Sequence, residues 1–191
     1  KSDDLLKRDF KADKPFSNCV TDITEVKAKN GKLYVSTIFN CYDLTTIGLS
    51  MDDNMRAELC TATVENTAVA YPEFSGAVLH SNRGSQYTSA SYRATLNEYG
   101  VKQSMNNAGG RCHDNARCES MWARMKNELF YSRGRRSTDY TTEQLKTMIW
   151  RYYMSYWNNR RICSSIGGMP PAEKRRRYYL DKTGKPAATM E

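Results

Sequence analysis

Residues 19–51 constrain the fold of this chain more than any other stretch. Cys19 to Lys27 and Lys32 to Phe39 are rich in β-branched residues, and Asn30-Gly31 stands between them. Asn-Gly supplies the left-handed conformations that a tight hairpin needs, so the two runs are expected to pair antiparallel. Cys41 to Met51 is expected as a third strand, completing a meander. The period then changes. Leu59, Cys60, Thr63, Val64, Thr67, Ala68 and Tyr71 recur at helical spacing behind a cap at Asp53-Asn54. Gly76 to His80 reads as a short buried strand and Val101 to Ser104 as another. Between them Ser89 caps a helix that Gly100 stops.

A further helix runs from Asp114 to about Phe130, with Met121, Met125 and Leu129 on one ridge. Thr141 and Gln144 form a capping box. Behind it Leu145, Met148, Ile149, Tyr152, Tyr153, Tyr156 and Trp157 follow the helical rule, and this aromatic stripe reads as core. Gly167-Gly168-Met169-Pro170-Pro171 then breaks the chain before Glu173 to Arg177. The order βββαβαβα with a further helix implies an α/β fold. Its mixed central sheet has three antiparallel strands plus two short parallel strands, flanked by helices. Residues 1–16 read as an extended lead-in, 17–160 as the core, and 161–191 as a basic C-terminal extension.

Composition narrows the class. With 191 residues, 39% of them apolar, the chain can bury one substantial core. It contains no apolar run long enough for a membrane span and no signal-peptide pattern at Lys1. Six cysteines without a pairing pattern read as reduced thiols of a cytosolic protein. Cys112, His113 and Cys118 have the wrong spacing for a zinc knuckle, and no second ligand pair is near. The net charge is +8. Residues 111–136 hold seven Lys/Arg against three acids, and residues 151–177 seven against one. Such clustering suits phosphate backbones, though each cation taken singly is as well explained by solvation.

Three oxygen-bearing side chains carry the chemistry. Asp22 lies in the strand Val20-Thr-Asp-Ile-Thr24. Asn82 lies where the strand ending at His80 enters the turn Ser81-Asn-Arg-Gly-Ser-Gln-Tyr-Thr-Ser89. Glu119 lies in the helix that Asp114 opens. A strand, a strand end and a helix form the layout of a two-metal phosphoryl-transfer site, in which Mg²⁺ or Mn²⁺ takes oxygen ligands and clamps the attacking and leaving oxygens. Asn115, Glu119 and Lys126 share one helix face, which suits a lysine holding DNA phosphate beside the metals.

The segments Val20 to Glu25, Gly31 to Val35, His80 to Ser89, Gly100 to Met105 and Asp114 to Ser120 resemble the catalytic core of bacterial insertion-sequence transposases. The group they are most similar to is the insertion-sequence-three family, with its retroviral-integrase-like core. The resemblance spans about residues 5–177 and includes Tyr156 to Arg161 and Pro170 to Lys174. It implies a ribonuclease-H-like fold and a DDE strand transferase acting on double-stranded DNA, namely terminal inverted repeats and target. It also implies a dimer or larger assembly, a bacterial, nucleoid-associated location, and an upstream helix-turn-helix region. It carries the catalytic and metal-binding roles to Asp22, position 82 and Glu119, and sets Gly84, Ser85 and Gln86 in the loop beside the site. Candidate DNA contacts are Arg83, Arg111, Asn115, Arg117, Arg124, Lys126, Arg160, Arg161, and Lys174 to Arg177, which includes Arg175 and Arg176.

Two departures stand out. The family has Asp where this chain has Asn82, and 36 residues separate Asn82 from Glu119, one more than the commonest spacing. The extra residue is assigned to the loop Asn106 to Gly110. Asn matches Asp in shape but is neutral and ligates a hard cation weakly. The chain is therefore read as a transposase core with little or no activity. The intact flanks and the near-isosteric change favour a deliberate inactivation that traps a DNA complex over natural decay. Two alternatives stay open: a ribonuclease-H-like nuclease or resolvase without the joining step, and a DNA-binding module without activity.

Overall fold

The computed structural model describes residues 3–7, 9–106 and 116–183. Alternation of apolar side chains along the first two strands builds a sheet with both faces covered. On β1 (Asn18–Ala28), Val20, Val26 and Ala28 enter one core and Cys19 enters the other. Val35 and Phe39 of β2 (Gly31–Asn40) enter the first core and Ile38 the second. β1 and β2 pair antiparallel around the Asn30-Gly31 turn, where Gly31 takes a positive φ of 148°.

β3 (Thr46–Asp52) pairs antiparallel with β2, while β4 (Val78–Ser81) and β5 (Lys102–Met105) run parallel with β1 and with each other. The order is β3-β2-β1-β4-β5, so β1 is central. This is the mixed ribonuclease-H-like sheet expected from the sequence. The third strand starts later than expected because residues 41–45 form a turn. Asn40 N–H donates to the Thr45 carbonyl (2.9 Å), Thr45 N–H donates to Asp43 Oδ1 (2.9 Å), and Leu44 takes φ 65°.

Helices cover both faces. α1 (Ala57–Ala70), the short α2 (Ser85–Thr88) and α3 (Ala90–Glu98) build the second core with Phe74, Tyr87, Tyr92 and Leu96. Ser89 caps α3 by accepting from Tyr92 N–H (3.1 Å). The first core is closed by α4 (Ala116–Leu129) and α5 (Thr142–Trp150). The capping box of α5 is present: Thr141 Oγ1 accepts from Gln144 N–H, and Gln144 Oε1 accepts from Thr141 N–H (2.9 Å). The expected single helix to Trp157 instead widens into a π-helix over Arg151–Trp157. The wider turn lets neighbouring Tyr152 and Tyr153, and then Trp157 and Asn158, all turn inward. Asn158 then bonds the Thr46 N–H and carbonyl, both at 2.9 Å, fixing this segment to β3. Among the described residues no helix is long and apolar enough to cross a membrane. The five described cysteines are all free and buried.

The lead-in and the C-terminal stretch both dock on this body. Leu5 N–H donates to Ser104 Oγ (2.9 Å), and Leu6 and Phe16 are buried. α6 (Pro171–Thr183) turns Arg175 inward, correcting its expected place among exposed DNA contacts. Its guanidinium bonds Asp43 Oδ2 at 2.8 Å, reaches Thr45 Oγ1, and stacks over Phe16 (4.6 Å). Asp43 is fully buried, so it requires a cation there. Arg176 and Arg177 remain exposed and share Glu173. Because a buried ion pair broken on one side leaves an uncompensated charge, Arg175→Met should cost about 3–5 kcal/mol. The loss would appear as a lower urea midpoint at unchanged slope. A loss under about 1 kcal/mol would show that the pair does not hold α6.

Candidate active site

The parallel pairing of β1 and β4 assembles the site. Asn18, Cys19 and Val20 lie opposite Val78, Leu79 and His80. Two residues further on, the same register brings Asp22 beside position 82, at the carboxyl end of β4. That end of a parallel strand is where open α/β sheets place their ligands.

The contacts follow from this placement. Asn82 Nδ2 donates to Asp22 Oδ1 at 3.1 Å, and Asn82 Oδ1 accepts from Gly84 N–H at 2.8 Å. The second turns the chain sharply at the strand end. A Cβ on residue 84 would come within 2.9 Å of Asn82 Oδ1, so any larger residue there would displace the Asn82 side chain. On the other side of Asp22, the indole N–H of Trp122 donates to Oδ2 at 3.2 Å. Both carboxylate oxygens are therefore held. Burial pushes the Asp22 carboxyl up to about 6, a backbone hydrogen bond at Ile23 and the Trp122 bond oppose this, and the negative charge of Glu119 adds to the rise. That influence shows Glu119, exposed on α4, within electrostatic reach of Asp22.

Supporting residues surround the strand end. His80 is buried, with Nδ1 2.9 Å from Ser104 Oγ and Nε2 2.7 Å from Asn106 Oδ1. Arg83 Nε donates to the Asn106 carbonyl, and Gln86 Nε2 to the Met55 carbonyl (3.2 Å). Ser85 opens α2 and is exposed. Lys126 is half-buried; burial draws its ammonium below the usual range and Glu25 opposes that. Arg124 and Arg160 are exposed. Arg161 lies elsewhere: it bonds Glu128 at 2.6 Å, and Glu128 also accepts from the Tyr152 hydroxyl at 2.8 Å. Nine residues along α4 put Glu128 on the opposite side of the helix from Glu119. Arg111, Cys112, His113, Asp114 and Asn115 lie outside the described residues, as does most of the loop Asn106 to Gly110.

As a metal site the donor set is incomplete. Asp22 and Glu119 are carboxylates, but Asn82 points its NH₂ at Asp22 and spends its oxygen on Gly84. Among the described residues no group of three His, Cys, Asp or Glu could hold a metal ion. A two-ion clamp does not fit this set as it stands. What sequence reasoning missed is Trp122. A buried indole needs an acceptor, and position 122 lies one turn beyond Glu119, which is the only hint the sequence offers.

Comparison with known proteins bears on the family and the fold. Two family models, each described as an integrase core domain, match residues 12–111 and 99–171. An uncharacterized transposase-like protein of Haemophilus influenzae is 37% identical over 174 residues, covering 91% of this chain and 77% of that protein. The putative transposase InsK for insertion sequence element IS150 of Escherichia coli K12 is 32% identical over 178 residues, 93% of this chain and 61% of that protein. The HTLV-2 integrase catalytic core domain, solved in complex with magnesium, superposes with a TM-score of 0.57 at 12% identity, covering 86% of this chain and 99% of that one, a likeness of fold. With its central sheet, its strand-end turn and these relatives, the chain belongs to the integrase core domain family, as the catalytic core of an insertion-sequence transposase.

Proposed function

We propose that this chain is the core of a DDE-type strand transferase in which Asp22 and Glu119 are two of three catalytic carboxylates and Asn82 occupies the place of the third. The substrates are double-stranded DNA, the ends of an insertion element and a target, brought together by a dimer or larger assembly. In such a reaction water attacks a phosphodiester and frees a 3′-hydroxyl. That hydroxyl then attacks a second phosphodiester, displacing the 3′-oxygen of the target strand. With Asp restored at position 82, carboxylates at 22, 82 and 119 would hold a divalent ion, Mg²⁺ or Mn²⁺, that would supply charge neutralisation at the phosphorus. The observation that carries the reading is the register placing residue 82 beside Asp22 at the end of β4.

The same contact supports impairment of this chain. With Asp at 82, two carboxylates would face each other and attract a cation. With Asn82, an amide N–H satisfies Asp22 internally, so the site is stable without one. The chain then folds and holds DNA without cutting it. We assign the phosphate contacts to Arg83, Arg124, Lys126 and Arg160, whose side chains are exposed or half-buried, with Ser85, Gln86 and the Gly84 backbone. Asn115 and Arg117 join them on the motif alone. Arg161 and Arg176 each bond a glutamate, which leaves them a smaller share.

Two outcomes are expected. In a strand-joining assay on element-end duplexes with Mg²⁺ or Mn²⁺, Asn82→Asp should exceed the present chain by two powers of ten or more, since removing one preorganised catalytic charge costs on the order of 3 kcal/mol. Equal rates would refute the impairment, nicks without joined products would favour a nuclease, and an inactive Asn82→Asp chain would favour a DNA-binding module.

The second concerns pH. Asp22 of the metal-free chain should titrate near 6 by carboxyl ¹³C NMR. This lies above its unfolded value of about 3.9, so the stability it confers is full at low pH and is lost as pH rises through the folded value, by up to about 3 kcal/mol. Glu119→Gln should lower the midpoint. A midpoint at or below about 4 would contradict burial as the dominant influence on Asp22.

A further inference from the structure

We propose that Trp122 is a positioning residue of this active site, its indole N–H setting Asp22 at a fixed orientation to the helix that carries Glu119. The proposal rests on the strand-transferase reading and extends it to a side chain that acts through Asp22.

The geometry is specific. Trp122 Nε1 donates to Asp22 Oδ2 at 3.2 Å, while Asn82 holds the other oxygen at 3.1 Å. The carboxylate is thus gripped from β4 on one side and from α4 on the other. Trp122 is only 5% exposed. Its ring meets Phe39 of β2 edge-on at 5.8 Å and Tyr153 of the π-helix edge-on at 5.8 Å. Walled in by these rings, the indole has little freedom to turn its N–H elsewhere, and Nε1 makes no other hydrogen bond among the described residues.

Trp122 follows Glu119 by three residues, so one turn of helix links the two. Glu119 itself is exposed and the strand that bears Asp22 belongs to another element. A bond from the same turn of α4 to Asp22 is a direct way to keep two catalytic carboxylates in register. A filler of the core would need only the ring. The donor aimed at a carboxylate is what a packing role leaves unexplained, and a charge-assisted bond fixes both distance and plane.

The test uses the full chain with Asn82→Asp, and a branched duplex that mimics the strand-transfer product, resolved in reverse with Mn²⁺. Two replacements at 122 are compared: Trp122→Phe, and β-(3-benzothienyl)alanine, which keeps the indole shape and lacks the N–H. Both should lower the rate at saturating DNA by ~10-fold or more and leave the half-saturating DNA concentration unchanged. An unchanged rate in the benzothienyl chain overturns the proposal. In ¹H–¹⁵N spectra of the chain, the Trp122 indole resonance, assigned by its loss in Trp122→Phe, should move on Asp22→Ala, whereas that of Trp157, which donates to the Leu44 carbonyl at 2.8 Å, stays. A Trp122 resonance indifferent to Asp22→Ala also overturns the proposal. An inactive Asn82→Asp chain would refute the strand-transferase reading and the catalytic half of this one, while the indole resonance judges the contact on its own.

Discussion

The parallel register between β1 and β4 is the constraint on which the site depends. It brings together residues sixty apart in the chain and sets Asp22 beside residue 82 at the strand end. Everything that fixes this register therefore serves the chemistry. β1 is central, with β2 paired along its whole length, and both sheet faces are covered by helices. Slipping the pairing by one residue would turn Asp22 toward the opposite core and bring Cys19 into the place of Val20. The cost of that exchange is what makes the position of Asp22 rigid.

Within that frame the identity of residue 82 decides the state of the site. A carboxylate there would leave Asp22 with a like charge as neighbour, and a cation would relieve both. The amide of Asn82 instead supplies a donor, and Trp122 supplies the second. The half-buried carboxylate is left hydrogen-bonded on both oxygens, partly neutral near pH 6, and with Glu119 raising its affinity for a proton. Such a site satisfies itself internally, which is the opposite of what a metal-dependent phosphoryl transferase requires. On the reading proposed above, preserved architecture and diminished chemistry coexist in one strand end.

Much of this was legible in the sequence where the physics is local. The Asn30-Gly31 hairpin, the Ser89 cap and the Thr141/Gln144 capping box depend on neighbours a few residues away, and each stands as expected. The residues proposed for the site are marked by motifs similar to a known family, because periodicity says nothing about which strand pairs with which. Three features were hidden for physical reasons. The π-helical stretch keeps its aromatic residues at spacings that an α-helix also allows. Arg175 sits in a run of four cations that reads as solvated, and only the docking of α6 selects which one turns toward Asp43. Trp122 looks like one more apolar residue until its indole N–H is seen to meet Asp22.

On the proposed reading, Asn82 closes the site on Asp22 and so removes the need for a cation. Titrating Mn²⁺ into the metal-free chain and into its Asn82→Asp variant, with free ion followed by electron paramagnetic resonance, measures this directly. Binding should be at least ~10-fold tighter to the variant, since a neutral amide is exchanged for a hard anionic ligand. Equal affinity in the two chains would contradict it.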